Sequence, residues 1–388
     1  MLEQCLAGTP PDRLPLALLD EACAPALFGT LVEGLADRFE PVLCDAYAHL
    51  FAQAVAHVMG GPDAAAIEAR YRLVRGVRPV AGEPRRVIVL SRVTLGADVA
   101  VTSVLLAAAK RRFPQAEVAF VGPSKNCELF AADAGIASVP LEYRRGRLAE
   151  RLSVGAELTR LLAAPDSLLI DPDSRLTQLG LLPVCAEASH HLFESRSFGA
   201  FSAASLPELT ADWAAATLGV TGARPYVALA CPPGPARRRD PYIAVSLGVG
   251  ENLAKRIPDP FEEELLRMLA ARGLPLYVDR GAGGEEAGRV ARAVERSGAS
   301  ATWWDGSFAG FAAIIAGSRL YVGYDSAGQH VAAALGVPLV SIFAGFPAPR
   351  MFDRWRPTGA HATVIRVDRL DPSETLARVA GALASTTL

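Results

Sequence analysis

The sequence predicts an α/β fold made of two facing Rossmann-like domains behind a helical N-terminal extension. Three observations carry this. Short β-branched apolar runs alternate with helical runs over 86–171 and again over 242–343. Such alternation implies parallel strands joined by crossover helices. A stretch rich in Pro, Gly and Arg, 224–240, separates the two series, and residues 1–79 show only the helical period.

The extension comes first. Leu43, Tyr47, Leu50, Phe51, Val55 and Val58 recur at helical spacing and form one apolar face. Pro79, Gly82 and Pro84 mark its end. The first series has strands at 86–91, 117–122 and 167–171. Its helices fall at 100–112, 127–134 and 148–164. The second series has strands at 242–247, 274–278, 301–304, 320–324 and 339–343. Its helices fall at 261–272, 285–297 and 308–317, with a small-residue helix after 324. The expected divisions are 1–79, 80–223, a linker at 224–241, 242–364, and a last segment, 365–388. The helix of that segment, 373–383, is expected to cross back onto the middle domain.

Composition narrows the function. With 388 residues and 51% hydrophobic content, the chain can fill two sizeable cores. A net charge of −2 gives no global field for nucleic acid or an anionic membrane. No apolar run is read as a membrane span of about 20 residues, and no signal peptide opens the chain. The six cysteines, Cys5, Cys23, Cys44, Cys127, Cys185 and Cys231, form no CxxC pair. That argues against a zinc site or a disulfide framework and for a reducing, cytoplasmic setting. His190 and His191 are adjacent and would face opposite sides of a strand. No metal site is expected.

The most informative run is Val322-Gly323-Tyr324-Asp325-Ser326-Ala327-Gly328-Gln329-His330, continuing through three alanines to Leu335-Gly336-Val337-Pro338. An apolar strand runs into a small polar turn and then a helix. Open α/β sheets bind ligands at such strand ends, and a helix start there offers N–H groups to an anion. The run resembles the Asp-Ser-Gly…His-(Leu/Val)-Ala-Ala-Ala-Leu-Gly-x-Pro signature of family 9 glycosyltransferases, the heptosyltransferase-like enzymes of GT-B architecture. The resemblance implies that Asp325 touches donor-sugar hydroxyls. Ser326, Ala327 and Gly328 would give amides to the phosphates, and His330 would lie close to them. The Gly is one place late, because Ala327 intervenes.

Further segments extend the resemblance over about 85–365. Ser91 to Ser103 is similar to the family's Leu-Gly-Asp-x-x-x-x-Thr segment. By that match Asp98 is the general base that deprotonates an acceptor hydroxyl. An Asp there also suits an N-cap, and Ala97 is an extra residue between Gly and Asp. Ser246 to Pro258, with Gly248 and Lys255, is similar to the Gly…Lys-x-(Trp/aliphatic)-Pro loop, in which Lys meets the donor pyrophosphate. Asp279 to Glu286 matches a Gly-rich turn with a ribose-holding Glu. Glu285 is the choice and Glu286 the alternative, although acids in a first helical turn also suit the helix dipole. Gly345-Phe346-Pro347 and Trp355-Arg356-Pro357 echo the family's closing loops. Asp173, Arg175 and Arg196 lie in loops where the family places its acceptor. Arg237-Arg238-Arg239 reads as a solvated linker that could also attract an anionic acceptor.

The implied reaction is inverting transfer of a sugar, a heptose, from a nucleotide diphosphate such as ADP-heptose, with no metal or other cofactor. The acceptor would be a glycan, a lipid-linked or a small molecule. Homo-oligomerisation is expected through the N-terminal helices. Two alternatives are a transferase using another nucleotide sugar on a specialised metabolite or protein, and a non-catalytic binding or assembly module.

Overall fold

The computed structural model describes residues 1–61, 63–230, 240–250, 252–281 and 283–386. They form two compact units, Met1–Pro225 and Tyr226–Leu388. Arg237-Arg238-Arg239 lies outside the described residues.

The first unit holds a parallel sheet of β1 (Arg86–Leu90), β2 (Glu117–Gly122), β3 (Ala137–Pro140), β4 (Ser167–Asp171) and β5 (His190–Leu192), in the order β3-β2-β1-β4-β5. The central strands are apolar on both faces because helices cover both faces. The chain steps outward from β1 to β3, then returns to β4 on the other side of β1. The crevice of such a sheet lies at that reversal, between β1 and β4.

The N-terminal segment shares this core. Leu50, Phe51 and Val55 of the helix Pro41–Met59 belong to one cluster with Ile88 and Leu90 of β1. Helix Ala64–Arg75 is tied to β5 as well. Arg70 Nη2 donates to His190 Nδ1 (3.0 Å), and His190 Nε2 meets Asp171 Oδ2 (3.2 Å). Burial lowers the His190 pKa, so the ring is neutral and can accept from Arg70. One sequence expectation needs correcting here. Pro41–Met59 is long and apolar enough to cross a membrane by length and composition. Its apolar residues are spent on the core of this unit, among them Leu43, Tyr47, Leu50 and Phe51.

The second unit is built on β6 (Ile243–Ser246), β7 (Leu276–Asp279), β8 (Ala301–Trp304), β9 (Leu320–Tyr324), β10 (Leu339–Phe343) and β11 (Ala362–Arg366). Their order is β11-β10-β9-β6-β7-β8, all parallel. Here the reversal lies between β6 and β9. The last helix is Pro372–Ser385. Val379 and Leu383 enter the second unit's own core, beside Leu265 and Leu269 of helix Phe261–Ala270.

The remaining differences are local. The predicted helix 148–164 is two helices, Leu148–Leu152 and Val154–Leu162, meeting at Ser153. Ser153 Oγ donates back to Glu150 O (2.6 Å), a competing bond of the kind that breaks helices. The predicted helix 127–134 is a shorter turn pair, Ser124–Cys127 and Glu128–Phe130.

Candidate active site

In the second unit, β6 and β9 pair with Ser246 opposite Gly323. Helix Ala327–Leu335 starts three residues after β9 ends, and its first turn is seated tightly. A Cβ on Gly323 would lie 2.5 Å from the Ser246 carbonyl oxygen, and one on Gly328 would lie 2.4 Å from the Tyr321 hydroxyl. Ser326 stands at the N-cap without a side-chain capping bond. The first-turn amides are therefore left to another acceptor, at the positive end of the helix dipole.

Lys255 comes to the same place from the loop after β6. Its Nζ donates to Asp325 Oδ2 (2.7 Å) and to the Asp325 carbonyl (3.2 Å). Asp325 is buried, and its Oδ1 accepts from Gln329 Nε2, while Gln329 Oε1 accepts from Ser341 on β10. An ammonium has three donors. Asp325 takes two, leaving one for a ligand. His330 is buried against Trp355, with ring centroids 5.9 Å apart. Burial, aided by Lys255 and opposed by Asp325, pulls its pKa down to about 4, so it is neutral near pH 7. Gly345 fixes the Lys255 loop from outside. It sits at φ +68°, and a Cβ there would fall 2.4 Å from the Ala254 carbonyl carbon.

Gly248 starts the same loop, and the acid that reaches it is Glu286. Glu286 Oε2 accepts from the amides of Val249 (2.8 Å) and Gly250 (3.0 Å). Glu285 is exposed. Of the two candidate acids it is Glu286 that meets this loop, one residue on a helix being a turn of about 100°. An open pocket of about 470 Å³ lies beyond, at the ends of β7 and β8, lined by Arg280, Gly281, Gly283, Gly288 and Asp305 among others. That volume suits a small ligand.

In the first unit, Asp98 lies where the loop after β1 enters its helix, fully buried. Oδ1 accepts from the Arg92 amide (2.7 Å) and Thr102 Oγ1 (2.7 Å). Oδ2 accepts from Ser91 Oγ (2.6 Å) and Asn126 Nδ2 (2.5 Å). Burial raises the pKa of Asp98 and these bonds pull it back, with a net rise. Ala97, the extra residue, leads into a π turn over Asp98–Thr102. Such a turn takes up an added residue without ending the helix. Val93 just before it, and Asp173 after β4, hold left-handed backbone at φ +73° and +66°. Strain of this kind, about 1–3 kcal/mol each, gathers at functional turns.

The three expected acceptor residues do not come together. Asp173 and Arg196 are both buried and paired with each other. Asp173 also accepts from Ser195 Oγ (2.9 Å), beside Arg92. Each thus offsets the other's charge in the interior, where an acceptor would have to compete with the pair. Arg175 faces elsewhere, toward Glu33 (4.0 Å). Sequence reasoning missed Ser91, Asn126 and Gln329, whose roles show only in their hydrogen bonds to Asp98 and Asp325. Among the described residues, no three His, Cys, Asp or Glu side chains are grouped to hold a metal.

Solved structures place the architecture. A glycosyltransferase family 9 structure from Veillonella parvula DSM 2008 matches with a TM-score of 0.57 at 16% identity, covering 79% of this chain and 91% of that one. E. coli heptosyltransferase WaaC with ADP matches at 0.59 and 18%, covering 78% and 100%. E. coli ADP-heptose lps heptosyltransferase II matches at 0.54 and 20%, covering 77% and 98%. At these identities the likeness shows the fold, which is that of the GT-B glycosyltransferases. Residues 187–380, half of the chain, match the family model of glycosyltransferase family 9 (heptosyltransferase), and the chain belongs to that family. It is a glycosyltransferase. No curated protein matches it. The family match covers the whole sheet of the second unit but begins after Asp98.

Proposed function

We propose that the second unit binds a nucleotide-diphosphate sugar at the ends of β6 and β9, and that the sugar passes to an acceptor hydroxyl with inversion. The observation that carries this is the meeting of Lys255 with Asp325 at the start of helix Ala327–Leu335. A cation and unsatisfied amides there match the charge of a departing diphosphate. That set can stabilise the leaving group without a metal. Asp325 then faces the sugar. Glu286, rather than Glu285, is the acid for the ribose. Family membership favours a heptose, and ADP-heptose is the first donor to try.

Asp98 is the proposed base. Its raised pKa suits proton abstraction, but all four of its acceptor positions are filled. The acceptor hydroxyl must therefore take the place of one donor. Of the acceptor candidates, Arg175 alone is not locked in a buried ion pair.

A thermal-shift panel of ADP-heptose and of ADP-, GDP-, UDP- and dTDP-hexoses tests the reading. A donor at a hundred times its Kd stabilises by about 2.7 kcal/mol. One base class should raise the melting temperature, and the ADP class is expected. No shift with any of them rejects a donor site.

A further inference from the structure

Behind the Lys255–Asp325 pair lies a second, buried set of charges. Glu262, in the first turn of helix Phe261–Ala270, is 1% exposed. Its Oε1 accepts from Arg289 Nη1 and from the Tyr324 hydroxyl (3.1 Å), with Arg256 Nε at 3.5 Å. Arg289 also donates to the Leu247 carbonyl (2.8 Å), and the Ile257 amide donates to the Tyr324 hydroxyl (3.3 Å). The loop from Leu247 to Ile257 is thus clamped at both ends, and both clamps run to one carboxylate. Each side of the functional pair has a neighbour in this set: Arg256 follows Lys255, and Tyr324 precedes Asp325.

Stability alone is a poor reason for such a group. Well-packed apolar residues often replace a buried ion cluster at no loss. What the carboxylate adds is direction, because its partners must approach along fixed lines. We propose that Glu262 is a positioning residue for donor binding: it holds the loop after β6 and the end of β9 in the register that brings Lys255 to Asp325. This rests on the donor reading above.

Two variants test it in the full-length chain. Glu262→Gln keeps the shape and removes the charge. Tyr324→Phe removes only the bridging hydroxyl and safeguards the test if the first variant folds poorly. Amide hydrogen exchange at 253–257 should quicken in both, by about tenfold or more, with helix Phe261–Ala270 still protected. ADP titrated by calorimetry should bind about tenfold more weakly to each variant, a loss of about 1.4 kcal/mol. In a Lys255→Ala background neither change should weaken ADP further, because both act through that lysine. Wild-type exchange at 253–257 in both variants overturns the proposal, as does a full additional loss of ADP affinity on top of Lys255→Ala. If Lys255→Ala itself leaves ADP binding unchanged, the donor reading falls, and the exchange result still decides the role of Glu262.

Discussion

Four donors converge on the Asp98 carboxylate, and that determines what its replacement does. Asn carries an NH2 group where Asp98 has an acceptor oxygen, so the Arg92 amide or the Asn126 NH2 would then face another donor, while the Ser91 and Thr102 hydroxyls can turn to accept. Each unsatisfied buried group costs about 1–3 kcal/mol. Asp98→Asn should therefore lower the melting temperature. It should also cut turnover by about a hundredfold or more if Asp98 is the base, with nucleotide affinity unchanged. A base must be ionised, and burial holds the Asp98 pKa above the ordinary carboxylate value. The acid limb of the wild-type pH–rate profile should then lie above the usual carboxylate range of about 4. Near-wild-type turnover in the folded variant would remove Asp98 from the mechanism and leave it as the brace of the loop after β1.

At the scale of elements, the helix Pro41–Met59 makes a separate prediction. Phe51 is 2% exposed, stacked on Tyr47 at 5.2 Å and edge-on to Phe28 at 6.1 Å. Phe51→Ala should destabilise the first unit by about 3–5 kcal/mol in denaturant melts. It should leave nucleotide affinity intact, because every residue of the proposed donor site belongs to the second unit. A loss of nucleotide binding with an unchanged melt would contradict this division of roles. The same elements show what could be read from the sequence. Strands such as β1 and β9 announce themselves as apolar runs, because they are buried on both faces. β3, with Ala-Ser-Val-Pro, and β5, with His-His-Leu, carry no such run. They lie at the sheet edges, where exposure and tertiary contacts decide. The site followed the same division. Lys255, Asp325 and the turn after it were legible, because their place at a strand end is written in the local pattern. The burial of Asp173 against Arg196 was not, since β4 and β5 pair only in the folded sheet. Which of Glu285 and Glu286 meets the loop after β6 depends on the rotation of one helix.

At the scale of the whole molecule, the two units are unequally determined by kinship. The family match spans the second unit's sheet, while the first unit's strands β1 to β4 precede it. The family match therefore bears on the donor half of the account. Arg92 is buried, donating to the Pro172 carbonyl (3.0 Å) and Ser195 Oγ (2.7 Å), and burial lowers its pKa to about 10. It fills the carboxyl end of the first sheet beside β4 and β5. The central claim is that nucleotide diphosphate binds where Lys255 meets Asp325 and the start of helix Ala327–Leu335. Its most direct test is calorimetric titration of ADP, or of the diphosphate whose base the donor panel selects, into the wild type and Lys255→Ala. The account predicts binding to the wild type and an affinity lower by about tenfold or more in the variant, with unchanged circular dichroism, as expected for a lost charge-assisted contact. Equal affinity for the two proteins would contradict it.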